Sequence, residues 1–93
     1  MNNKLFSYFG FAIKSRSIVF GYDNLAKCNK ARVLVVFDNT FNNKMQSKLN
    51  RLARLNKWDI VKLDDTLASV IGRNCKVVGI LDENLANAIK QNI

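Results

Sequence analysis

The sequence predicts an α/β protein, a three-layer α/β/α sandwich around a four-stranded sheet that is mixed or mostly parallel. Three observations carry this. The stretch Arg32 to Asp38 (RVLVVFD) holds five consecutive apolar residues, four of them β-branched or aromatic, with no two-residue alternation to give it a wet face. Such a run reads as a strand covered on both sides, which requires helices above and below the sheet. Val77 to Leu81 (VVGIL) repeats the pattern, and each run ends in an aspartate, Asp38 and Asp82. Between and around these runs lie segments of helical period, so strands and helices alternate along a chain of 93 residues, the size of one domain over residues 1–93.

In order, Leu5, Phe6, Phe9, Ala12 and Ile13 recur at helical spacing and predict a first helix from about Lys4 to Ser15. The same stretch has the length of a signal-peptide core, but Ser7 and Gly10 interrupt it and no small-x-small cleavage pattern follows. Ile18 to Phe20 reads as a short strand stopped by Gly21. Asp23 or a neighbour is expected to cap a second helix reaching about Asn29. After the central strand, Asp38-Asn39-Thr40 forms a turn into the longest helix, roughly Asn42 to Lys57. Its apolar stripe is Met45, Leu49, Leu52 and Ala53, with Lys44, Lys48 and Arg51 along one flank.

Trp58 to Leu63 alternates enough to be a strand near the sheet edge, with Asp59 and Lys62 expected on its wet side. Asp64, Asp65 or Thr66 caps a short helix closed by Gly72, Lys76 to Asp82 is the second buried strand, and Asn84 to Gln91 the closing helix. Leu85, Ala86 and Ile89 are expected to face inward. No run reaches the ~20 apolar residues of a membrane span, so a soluble, cytoplasmic protein is expected.

Charge narrows the function. Residues 1–57 carry 11 basic and 2 acidic residues, and residues 58–93 carry 4 and 5, so the +8 net charge lies wholly in the first part. A folded domain with that field attracts a polyanion. Enzyme chemistry is thinly represented. Histidine is absent, the two cysteines, Cys28 and Cys75, form no metal-ligand spacing, and the four glycines are isolated from one another. His-based catalysis, zinc sites and phosphate loops are therefore not expected, nor is a cofactor. Asp38 and Asp82 are the one carboxylate pair that a parallel sheet would bring together, and helix capping accounts for them more simply.

From Ala12 to Lys27 the sequence AIKSRSIVFGYDNLAK follows a pattern: a helix-ending Ala-x-basic-small, a strand, a glycine, and a helix opening with polar and basic positions. Together with the central strand ending in Asp38, LASVIG at Leu67 to Gly72 and VVGILDENLA from Val77, this resembles the ribosomal L-seven-Ae and L-thirty-e family of kink-turn RNA-binding proteins. The similarity runs from about Leu5 to Ile89 and is closest to the short bacterial ribosomal-protein-like members.

The resemblance implies an RNA-binding protein without enzymatic activity, with ribosomal or other structured RNA as partner, ribosomal proteins as neighbours, and a monomeric state. The family's signature Gly-x-Asn-Glu-x-x-Lys reads here Gly21-Tyr22-Asp23-Asn24-Leu25-Ala26-Lys27, so Gly21 and Lys27 match while the amide and the carboxylate exchange places at Asp23 and Asn24. In that motif the glycine admits RNA close to the backbone and the polar side chains reach the base edges of a sheared G·A pair. A second contact, the loop that packs on an extruded nucleotide, would be Arg73-Asn74-Cys75, more basic here than the mostly apolar family loop. Arg16 and Arg32 are further candidates by residue type. A protein-interaction module on the same fold, binding an acidic partner, is the alternative reading.

Overall fold

The computed structural model describes residues 3–93. Nine elements alternate: α1 (Asn3–Lys14), β1 (Ile18–Phe20), α2 (Tyr22–Ala26), β2 (Leu34–Asp38), α3 (Asn43–Asn56), β3 (Asp59–Leu63), α4 (Leu67–Ile71), β4 (Val77–Ile80) and α5 (Glu83–Gln91). The sheet order is β1-β4-β2-β3. Only β2 and β3 run parallel; β4 lies between β1 and β2 and is antiparallel to both. The sheet is therefore mixed, and the mostly parallel arrangement is not the one formed.

The two faces of the sheet explain the unbroken apolar runs. Alternate residues of β2 point to opposite sides. Leu34 and Val36 join Leu5, Phe9, Leu67, Val70 and Ile89 in a core under α1, α4 and α5, while Val35 and Phe37 join Leu25, Leu49, Ala53 and Trp58 in a second core under α2 and α3. Both faces of the central strands are covered, as a three-layer sandwich requires. Leu85 and Ala86 pack against the first core beside Ile89.

Local chemistry sets the ends of the elements. Asn42, Thr66 and Asp82 each accept a hydrogen bond from the backbone N–H three residues on, capping α3, α4 and α5. Asp38 has a different task from capping α3. Its carboxylate, 1 % exposed, accepts bonds from the Thr40 N–H, the Thr40 hydroxyl and the Leu67 N–H, tying the β2–α3 turn to the start of α4. Since β2 and β4 are antiparallel, Asp38 and Asp82 stand at opposite ends of the sheet, and the carboxylate pair a parallel sheet would have assembled does not exist.

Two further expectations are corrected. Asp59 and Lys62 are both exposed but, three residues apart on a strand, they face opposite sides; Val61 and Leu63 pack into one core and Ile60 into the other. The second helix ends at Ala26, not near Asn29, because the chain turns at Lys27 to reach β2, with the Cys28 N–H bonded to the Leu25 carbonyl. No helix among the described residues is long and apolar enough to cross a membrane.

Candidate nucleic-acid interface

The antiparallel insertion of β4 brings the β1–α2 junction and the loop before β4 to the same end of the sheet. Phe20 pairs with Val78, and the Gly21 N–H donates to the Val77 carbonyl at 3.0 Å. The Arg73 guanidinium lies over the Phe20 ring, 4.3 Å from its centroid. That stacked geometry is the favourable one for a cation on an aromatic face. It holds Arg73 next to Gly21 across more than fifty positions of sequence.

Gly21 is the cap of α2 and has φ 84 and ψ 157, a conformation essentially restricted to glycine. Asp23, which the sequence suggested as the cap, lies instead in the first turn of α2 and makes no capping bond. Asp23, Asn24 and Lys27 are exposed, and their spacing of three and four residues sets them on one side of the short helix while Leu25 is buried against the sheet. The Asn24 side-chain NH2 donates to the Phe20 carbonyl at 2.8 Å. Its side-chain carbonyl oxygen is thus the atom left to accept from a partner.

In the 73–75 loop, Arg73 and Asn74 are exposed. Cys75 is turned inward, packed against the first core with its Sγ bonded to the Val77 carbonyl at 2.9 Å. It shapes the loop and offers little to a ligand.

Gly21, Asp23, Asn24, Arg73, Asn74 and Cys75 thus belong to one region, with Lys27 one helical turn from Asp23 along α2, beyond Leu25. Arg16 and Arg32 do not. They precede β1 and β2, which run in the same direction through β4, so both lie at the opposite end of the sheet. Arg16 ends α1 in the left-handed conformation, φ 58, and Arg32 is paired with Glu83 at 2.6 Å. Arg32 also lines a cavity of about 290 Å³ with Lys57, Asp59, Glu83 and Lys90, where the Lys90–Asp59 pair at 2.7 Å offsets charge again.

Phe20 and Tyr22 are not among the residues the sequence singles out: Phe20 enters as the end of a short strand and Tyr22 as the unspecified second position of the motif. The signal was present in the order Phe20-Gly21-Tyr22, a glycine between two aromatics. Among the described residues no group of three or more His, Cys, Asp or Glu side chains is placed to hold a metal.

No protein-family model matches the chain, and no curated protein matches it. Among solved structures it is similar to a Bacillus halodurans C protein described as of unknown function, with 18 % identity and a TM-score of 0.82 over 97 % of this chain and 96 % of that one. At that identity the likeness speaks for the fold.

Proposed function

We propose that this protein binds structured RNA of the bent or bulged kind, kink-turns included, without enzymatic activity, as a cytoplasmic monomer of bacterial type associated with ribosomal or other folded RNA. The observation that carries the reading is the Arg73–Phe20 stack beside Gly21. Two segments which the resemblance to the L-seven-Ae and L-thirty-e family singles out independently, and which are far apart in sequence, share one surface.

The division of labour follows from the chemistry of each group. Lys27 and Arg73 neutralise phosphates, which sets affinity without reading sequence. The Asn24 carbonyl oxygen accepts from a base edge, which contributes specificity. Gly21 carries no side chain, and a Cβ built there meets nothing within 4 Å, so the opening is accessible to a nucleotide.

The test is a titration of the protein on a kink-turn RNA and on a matched duplex without the bulge, at several salt concentrations. Tighter binding to the kink-turn, with a steep salt dependence on both RNAs, is expected. Absence of binding to either RNA at low salt sinks the reading.

A further inference from the structure

Helix α3 carries a charge arrangement that works against its own stability. Lys44 sits in its first turn, where the helix dipole favours an anion. Lys44 and Lys48 are four apart, Lys48 and Arg51 three apart, so like charges face each other along one side, and no acidic residue occurs from Asn39 to Trp58. All three side chains are exposed, and the ion pairs formed among the described residues, Arg32–Glu83 and Lys90–Asp59, involve none of them. The rise of a helix spaces the three cations by roughly 6 and 4.5 Å along its axis.

Beside this row is a shallow groove of about 310 Å³ lined by Tyr22, Lys48, Arg51, Leu52 and Leu55. Leu55 is 76 % exposed and lies at the rim of this groove, within reach of a bound partner. Tyr22 follows Gly21 directly, so the groove begins where the candidate RNA opening ends.

We propose that α3 and Tyr22 form a second RNA-contacting surface, which takes a single-stranded segment leaving the structured RNA at Gly21. Lys44, Lys48 and Arg51 follow its phosphates, and an unpaired base packs on Tyr22 and Leu55. An aromatic and an apolar side chain flanked by cations match a nucleotide, whose base is flat and weakly polar and whose backbone is anionic. This inference rests on the RNA reading of the Gly21 region, and the experiment separates the two.

The probes are a bulged hairpin RNA with blunt ends, the same hairpin with a single-stranded extension of about eight nucleotides, within the span one such surface covers, and poly-glutamate. The natural protein is expected to bind the extended hairpin about tenfold more tightly than the blunt one, the gain of one stacked base with its phosphates. Combining Lys44→Ala, Lys48→Ala and Arg51→Ala should abolish that gain while changing affinity for the blunt hairpin by less than about twofold. Leu55→Gln, at an exposed site, should reduce the gain without altering Tm.

Lys44→Glu supplies a readout that a purely structural role would not give. It should raise Tm by about 2–4 °C, by relieving the first-turn repulsion, while lowering affinity for the extended RNA. Binding of both hairpins with equal affinity overturns this inference and leaves the Gly21 reading standing. Binding of neither overturns both. Loss of poly-glutamate binding in the triple variant with RNA binding unchanged assigns the row to an acidic protein partner and overturns the inference as well.

Discussion

The side chain of Leu25 occupies the space above Gly79: a Cβ added to Gly79 would stand 2.5 Å from Leu25 Cδ2 and 2.9 Å from Val33 Cγ1. Gly79 is a strand residue of β4 with no special backbone conformation, so its role is to let α2 approach the sheet. Leu25 is wholly buried there and is the anchor that orients Asp23, Asn24 and Lys27 outward. Gly79→Ala should therefore destabilise the protein by about 1–3 kcal/mol, the usual cost of overpacking, measured by urea unfolding. Shortening Leu25 to Val in the same chain should recover part of that loss, a non-additivity expected of residues in contact.

Gly21→Ala tests the backbone alone. Open space surrounds the position, so the cost is conformational and should be about 1–3 kcal/mol in unfolding free energy. A loss below about 0.5 kcal/mol would show that the opening relaxes readily to an ordinary conformation.

Charge should carry most of the RNA affinity. With about five phosphates neutralised, the slope of log affinity against log salt is expected near −4, and a slope shallower than about −1 on every RNA contradicts this. Lys27→Ala should weaken binding to kink-turn and duplex alike, whereas Asn24→Ala should weaken the kink-turn more.

Restoring the motif order with Asp23→Asn and Asn24→Glu should raise kink-turn affinity about tenfold above that of the natural protein, since the negative charge moves from position 23 to position 24, leaving an amide donor at 23 and a strong acceptor toward the base at 24. The structure adds a cost. Glutamate cannot donate to the Phe20 carbonyl as Asn24 does, so stability should fall by about 0.5–1.5 kcal/mol. Equal improvement on both RNAs would report only the displacement of a negative charge from position 23 to position 24.

Arg16 and Lys57 both adopt the left-handed conformation at the ends of helices, φ 58 and φ 57, where glycine is the unstrained choice. Arg16→Gly and Lys57→Gly should each stabilise the protein, by ~1 kcal/mol in thermal or urea unfolding. Arg16→Gly should leave kink-turn affinity within about twofold, because Arg16 stands at the far end of the sheet from Gly21 and Arg73 and one remote charge adds little. A large loss of affinity from it would place RNA at both ends.

The residues that announced the fold did so through burial. Val33 to Phe37 and Val77 to Leu81 are apolar throughout because both faces of their strands are covered, and that signal is local. Strand direction is not local. Nothing within VVGIL distinguishes a strand antiparallel to its neighbours from a parallel one, and on that choice depended whether Asp38 met Asp82. The same limit applies to the site. The glycine and polar spacing of the α2 opening can be read along the chain, and so can the basic 73–75 loop. Residue type alone, however, does not tell at which end of the sheet an arginine stands, so Arg16 and Arg32 resemble Arg73 along the chain while lying at the opposite end of the sheet. The stack of Arg73 on Phe20 joins distant positions and leaves no trace in either neighbourhood.

The placement of β4 between β1 and β2 has a consequence for how the chain is made. Ile18 pairs with Ile80, so the strand that leads to Gly21 has no partner until synthesis has passed β4. Before then the nascent chain can pair only β2 with β3. Contacts of such long sequence separation form late. The corner formed by Gly21 and Arg73 is therefore absent from chains that have not yet completed β4, and the RNA site proposed there would not exist on such a chain while it emerges from a ribosome.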